Sequence, residues 1–173
     1  MKIKNHISKL GILLLITFCS TAVFAQITSE EDMAEAVFIT IQSNDLETFI
    51  SYCASEERFT KAVNGIEENS LKEIGLKQEL KQENANNFTD ENINTFNLFH
   101  KELTDNNIAI KKGKLSETIT KETRVEVPNL KATEIKFEIS FENITYVINA
   151  NVFITEDDIF IYEFLFAKKN NKN

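Results

Sequence analysis

Residues 130–167 read LKATEIKFEISFENITYVINANVFITEDDIFIYEFLFA, and the spacing of apolar side chains in this stretch decides the fold class. In Lys131–Phe141, Ile135, Phe137, Ile139 and Phe141 alternate with Lys136, Glu138 and Ser140. Successive side chains of a strand point to opposite faces, so this segment is a strand with one apolar and one polar face. Glu142-Asn143 suits a tight turn, because Asn tolerates positive φ. The chain then returns through Ile144, Tyr146, Ile148, Ala150, Val152 and Ile154, again at every second position. Glu156-Asp157-Asp158 interrupts the pattern with three carboxylates that suit a solvated turn. The last run, Ile159–Ala167, is apolar on both faces, with Ile159, Ile161 and Leu165 on one and Phe160, Tyr162, Phe164 and Phe166 on the other. A strand of this kind is expected in the interior of a sheet or at an interface.

Upstream, Leu115, Ile119, Val125 and Val127 occupy odd positions, while Ser116, Thr118, Thr120, Glu122, Arg124 and Glu126 are polar. This predicts the first strand of a four-stranded antiparallel meander, turned into the next by Pro128-Asn129. Before it the period changes to that of helices. Ser29-Glu30-Glu31-Asp32 has the hydroxyl-then-carboxylate spacing of a capping box, followed by Met33, Ala36, Val37, Thr40 and Ile41 on one helical face. Asn44 offers a fresh cap for a short helix carrying Leu46, Phe49, Ile50 and Cys53, and further turns are expected from Ser55 through Phe59 to Val63. Glu67–Glu83 is rich in helix formers but poor in apolar residues, which predicts an exposed helix. Thr89 or Asp90 is expected to cap a last helix with the face Ile93, Phe96, Phe99, His100 and Leu103.

Met1–Ala25 reads as a secretory signal peptide: Lys2, Lys4 and Lys9 precede the apolar run Leu10–Phe18, and Val23-Phe24-Ala25 suits cleavage. That run is shorter than the roughly 20 residues of a membrane-spanning helix. Acylation at Cys19 is the rival, disfavoured because the bulky Phe18 stands where lipoprotein signals place a small residue. The expectation is an exported protein, periplasmic or secreted, with no transmembrane segment after cleavage. Cleavage removes Lys2, Lys4 and Lys9, so the net charge moves from −8 to −11 on residues 26–173. That length suits a single domain. Such an acidic balance repels phosphate backbones, which argues against nucleic-acid binding. Cys53 is the one cysteine left after cleavage, so no disulfide is expected within the mature chain.

Helices followed by strands specify an α+β domain, its N-terminal helices packed on a C-terminal antiparallel sheet. Over Ser29–Ala167 this element order resembles the cystatin-like and nuclear-transport-factor-two-like folds. More narrowly, Glu47–Phe59 and the Leu130–Phe166 meander resemble small secreted bacterial proteins of that type with no assigned activity. The resemblance implies a cone-shaped fold and a cavity between sheet and helices.

Few residues point to chemistry. His100 is the only histidine of the mature chain, and its place on an apolar helix face suits a core-edge imidazole bonded to backbone better than a base. Cys53 lies on the apolar side of its helix, where a free thiol behaves as a small hydrophobe. Glu163 interrupts an apolar strand; if it lines a cone, it resembles the general base of ketosteroid-isomerase-like proteins. Glu156-Asp157-Asp158 lacks the spaced ligands and glycine of a calcium loop, so no metal and no cofactor is expected. The leading reading is a non-catalytic binding or interaction module that holds a small apolar ligand or a protein partner through Phe160, Tyr162, Phe164 and Phe166, with a homodimer compatible. The alternatives are an isomerase or dehydratase using Glu163 and His100, and a structural envelope protein.

Overall fold

The computed structural model describes residues 27–169 apart from Thr118 and Asn143. The expected signal peptide, Cys19, the turn residue Asn143 and residues 170–173 lie outside the described residues. Five helices precede a five-stranded antiparallel sheet: α1 (Glu30–Ser43), α2 (Leu46–Tyr52), α3 (Glu56–Gly65), α4 (Leu71–Leu80), α5 (Ala85–Asp105), then β1 (Lys114–Leu115), β2 (Thr120–Val127), β3 (Leu130–Phe141), β4 (Ile144–Ile154) and β5 (Ile159–Lys168). No described helix is long and apolar enough to cross a membrane.

Side-chain caps set the helix starts. Ser29 accepts from Asp32 N at 3.1 Å, while the Asp32 carboxylate accepts from the amide and hydroxyl of Thr28 at 3.2 and 2.8 Å. The Thr28 hydroxyl, with the Ser29 hydroxyl and the Thr28 amide, holds the Asp32 carboxyl below its usual range. Asn44 closes α1 instead of opening α2: it adopts the left-handed conformation at φ 54°, and Asp45 caps α2 through Thr48 N at 3.0 Å. The last helix also starts earlier than the sequence suggests. Asn84 caps α5 through Asn86 N, and Thr89 lies inside the helix with its hydroxyl donating to the Ala54 carbonyl.

The meander β2-β3-β4-β5 forms as read, with a fifth strand in place of the expected four. The stretch expected as one strand divides: Leu115 pairs with Ile139 in β1, and β2 then pairs with the first half of β3. A bulge at Arg124 shifts the register between Thr123 and Val125. A bulge inverts the side-chain phase, because one residue is spent without advancing the pairing. Leu115 and Ile119 therefore join the main core, while Val125 and Val127 turn to the opposite side of the sheet.

A second bulge does the same in β5. Asn151 pairs with Glu163 and Val152 with Ile161, which leaves Tyr162 unpaired. The expected stripe Phe160, Tyr162, Phe164 and Phe166 is thereby split between the two faces. Phe164 and Phe166 lie under α2 and α5, with Phe49 in contact with Phe96 and Phe164 at ring separations of 4.6 and 5.0 Å. Phe160 and Tyr162 lie on the other face with Phe59, Phe88 and Phe153. Nor is β5 an interior strand. It is the edge of the sheet, covered on both sides only at Ile159–Ile161, where Ala54 N donates to Ile161 O at 2.7 Å.

Both sheet faces thus carry a core, of unequal extent. α1, α2 and α5 cover one face, and α3 with α4 covers only the end of the other face where the β2-β3 and β4-β5 turns lie. α4 is a peripheral helix, as its composition suggests, with Leu71 89% exposed. At the opposite end Gly113 admits no side chain: a Cβ there would stand 2.6 Å from the buried Phe141 ring. Gly113→Ala should lower stability by about 1–3 kcal/mol through overpacking alone, since φ at this position suits any residue. Urea midpoints of the two proteins measure it, and unchanged midpoints would mean that the Phe141 ring moves freely.

Candidate functional site

The candidate acid–base groups are kept apart from solvent clefts. His100 rides on α5 with its ring centre 4.4 Å from that of Phe96 and 6.3 Å from that of Phe99. Its backbone carbonyl accepts from Thr104, but its Nε2 is buried with no hydrogen-bond partner among the described residues. The backbone bond expected for the imidazole at that atom is thus not formed. Burial pushes the His100 pKa down to about 4, because desolvation disfavours the imidazolium. Cys53 ends α2, 2% exposed, with its Sγ 3.5 Å from the Phe49 carbonyl oxygen. Burial pushes this thiol up to about 12, so it stays a thiol where a nucleophile needs a thiolate.

Glu163 is exposed, and its carboxylate accepts from the Asn151 amide. The sequence placed it on a face with Ile161 and Leu165; the Tyr162 bulge leaves it with Leu165 on the outer face and turns Ile161 to the inner one. The isomerase reading required a carboxylate in an apolar cavity, and this carboxylate stands in solvent. Among the clefts on the described surface are ones of about 250 to 420 Å³, and neither Glu163 nor His100 lines them. Phe160 and Phe164 are fully buried, while Tyr162 and Phe166 are half-buried. The two that retain some exposure lie on opposite faces. Among the described residues no group of three or more His, Cys, Asp or Glu side chains is placed to hold a metal ion.

The residue that sequence reading passed over is Arg58. It occupies the first turn of α3, three residues after the Ser55 cap. Nε and Nη2 donate to the two Asp158 oxygens at 2.8 and 2.7 Å. Nη1 donates to the carbonyls of Ser51 and Cys53 at 2.8 and 3.0 Å, and Nη2 to that of Ile159 at 2.9 Å. The guanidinium also stands 5.0 Å from the centre of the Phe160 ring. A guanidinium has five N–H donors, and all five are used. This arginine ties the α2-α3 corner to the β4-β5 turn and has nothing left to offer a ligand. Two of the carboxylates in the acidic turn are anchors: Asp158 to Arg58, and Asp157 to Lys61 at 3.2 Å. The available signal was composition, since Arg58 and Arg124 are the only arginines in a lysine-rich chain.

What remains open is a surface. Past the end covered by α3 and α4, the outer sheet face presents Glu134, Lys136 and Glu138 of β3, Val147, Asn149 and Asn151 of β4, and Glu163, Leu165 and Ala167 of β5. Arg124 pairs with Glu122 and Glu134 at one end, and Lys169 with Glu138 at 2.7 Å toward the other. Between them Val147, Leu165 and Ala167 form a small apolar centre, with Leu165 43% exposed. In comparisons with known proteins, no family model, no curated protein and no solved structure matches the chain.

His100 gives this end of the core a pH signature. Its folded-state pKa of about 4 lies below the ordinary value of 6.5. The unfolded chain therefore takes up the proton first as pH falls. The native state loses stability progressively from about pH 6.5 down to about pH 4, and the penalty is complete below that. Solvent screening of this half-buried ring holds the loss to about 1–2 kcal/mol. Denaturant midpoints from pH 7 to pH 4 should fall more steeply for the wild type than for His100→Phe. Parallel curves would show that the ring is solvated.

Proposed function

We propose that the chain is an exported, non-catalytic interaction module of cystatin-like or nuclear-transport-factor-two-like shape, which docks a protein partner on the uncovered half of its sheet. The observation that carries this reading is the asymmetric cover of the sheet: one face lies under three helices, and half of the other is left bare. That bare half has an apolar centre at Val147, Leu165 and Ala167 with a charged rim, the arrangement by which protein–protein interfaces exclude water at the middle and stay soluble at the edge.

A protein suits this surface better than the small apolar ligand. The space between sheet and helices is filled by Phe49, Phe96, Phe99, Phe137, Tyr146 and Phe164, each at most 1% exposed. Rings buried to that degree favour the open sheet face over the interior as the binding site. Export rests on the Lys2–Phe18 charge and hydropathy pattern, and it would give the face access to envelope or extracellular partners.

The test places a photo-crosslinking phenylalanine analogue at Val147, and separately at Leu98 on the outer side of α5, in the organism that makes the protein. Position 147 should give discrete protein conjugates that position 98 does not give. The mature protein should also weigh the same, from Gln26 onward, in native and denatured mass spectra. Conjugates from neither site, or extra small-molecule mass lost on denaturation, would overturn the reading.

A further inference from the structure

Met33, Val37 and Ile41 carry α1 into the main core, and a second ridge of the same helix, Asp32, Glu35, Ala36, Ile39 and Ser43, faces away from it. After the Asn44 corner, α2 sets Asp45, Thr48 and Tyr52 along the other side of that ridge. Between the two helices lies the cleft of about 420 Å³. Asp32 and Ser43 stand about 16 Å apart along the helix axis, which gives the groove its length. Ile39 is 60% exposed and takes no part in either core. A lone exposed isoleucine is ordinary, but this one stands over a groove with Ile27, Ala36 and the half-buried Tyr52 beside it.

The charge of the groove has one sign. Asp32 and Glu35 flank one end, and Asp45, whose amide donates to Thr40 O at 3.0 Å, flanks the other. No lysine, arginine or histidine is among the lining residues. Lys131 and Lys121 hold Glu30 and Glu31 in the first turn of α1 at 3.0 and 2.8 Å, and no ion pair among the described residues reaches Asp32, Glu35 or Asp45. The Thr48 amide and hydroxyl hold the Asp45 carboxyl below its usual range, as the Thr28 hydroxyl does that of Asp32, so both stay ionised in mild acid. Each carboxylate keeps acceptor sites beyond those these bonds use.

We propose that this groove docks an extended basic segment of a partner protein, in which aliphatic residues alternate with lysine or arginine. A groove of this length takes about five residues of extended chain, at roughly 3.3 Å each. Alternation sends the aliphatic side chains down onto Ile39, Ala36 and Ile27, and the long cationic ones up to the carboxylates at the two ends. The half-buried Tyr52 ring offers a passing cation the negative potential of its face. The mature chain's net charge of −11 draws such a segment in from a distance and repels an anionic one. An uncharged apolar segment would leave three carboxylates desolvated without partners, so charge selects the basic one. A five-residue contact lies well below the roughly 1,200 Å² of stable complexes, so the docking is weak and reversible. The groove is a second surface, on helices and not on the sheet, and it does not rest on the docking reading above.

Fluorescence anisotropy of a labelled Lys-Leu-Lys-Leu-Lys peptide, titrated with the mature chain, tests the proposal. Binding should saturate below about 1 mM and weaken several-fold as salt rises from about 0.05 to 0.3 M. Glu35→Lys, at an exposed position with no partner among the described residues, should weaken it about fivefold. Ile39→Gln, which keeps the charge, should weaken it by about three- to fivefold, and so should replacing the peptide's leucines by serine. Glu79→Lys makes the same charge change at an exposed place on α4 and should cost less than about twofold. Equal losses from Glu79→Lys and Glu35→Lys, or indifference to Ile39→Gln, would reduce the binding to net charge and overturn the proposal. Absence of saturable binding would do the same. Sedimentation of the protein alone completes the test: a dimer that Ile39→Gln abolishes would give the groove to a second copy instead. Crosslinks at position 147 neither support nor weaken this groove, so the two surfaces stand or fall separately.

Discussion

A sheet that must bury side chains on both faces at one end and on a single face at the other cannot keep one alternation along its strands. This constraint shapes the molecule. The two bulges, at Arg124 and Tyr162, are where the alternation is reset. In β5 the reset sends Phe160 to the outer core beneath α3 and Phe164 to the inner core beneath α5, although both sit at even positions of one strand. In β2 it turns Val125 and Val127 outward to meet the same outer core. A one-residue slip moves a whole set of side chains across the sheet, so without the bulges Phe164 or Phe160 would face water. Each such ring contributes about 1.5–3 kcal/mol by its burial, which makes the bulged register the only one that satisfies both ends.

The outer core depends in turn on Arg58. α3 packs on the sheet through Phe59, Ala62 and Val63, a short face with limited area of its own. The chain makes a sharp corner between α2 and α3, and the carbonyls of Ser51 and Cys53 are left there without helical partners. Arg58 satisfies both, grips Asp158 with two bonds, and lays its guanidinium against Phe160. Lysine could supply the charge but not the planar fork. The acidic turn at Glu156-Asp157-Asp158 is accordingly the receiving half of a clamp. The only other arginine, Arg124, sits at the other bulge and bridges Glu122 and Glu134. In this chain arginine appears where an irregular piece of backbone has to be held.

Much of the fold was legible in the sequence because period and capping are local. Ile135 to Phe141 and Ile144 to Ile154 alternate without interruption, and both strands form over those residues. Ser29, Ser55 and the Glu67–Glu83 composition placed three helices near their observed positions. The failures were non-local. Nothing in Ile159–Ala167 marks Tyr162 as the extra residue, because a bulge is fixed by the register of two strands against two different layers. That one residue displaced every site candidate on β5: it put Glu163 in solvent and divided the four aromatics. Asn84 and Thr89 are equally good caps in isolation, and Thr89 lost because Ala85 and Phe88 pack in the outer core. The role of Arg58 was invisible for the same reason, its partner lying 100 residues away.

The bare half of the sheet is stable as it stands, which bears on what it can do. Several of its polar side chains are matched across strands, Arg124 with Glu134, Asn151 with Glu163, Ser140 with Thr145 and Lys169 with Glu138, while the Asn149 side-chain oxygen is buried without a partner among the described residues. Cross-strand pairs of this kind are each worth about 0.2–1 kcal/mol, enough to keep the face ordered without a cover. An ordered face loses little conformational entropy on docking, which favours recognition by preformed shape over folding on contact. The same matching keeps the apolar patch small. Val147, Leu165 and Ala167 lie beside the paired Glu138 and Lys169, so a docking protein must cover them with apolar surface and meet that part of the rim without breaking its pair. A surface of this kind selects partners by fit and charge order, and it does not invite indiscriminate association.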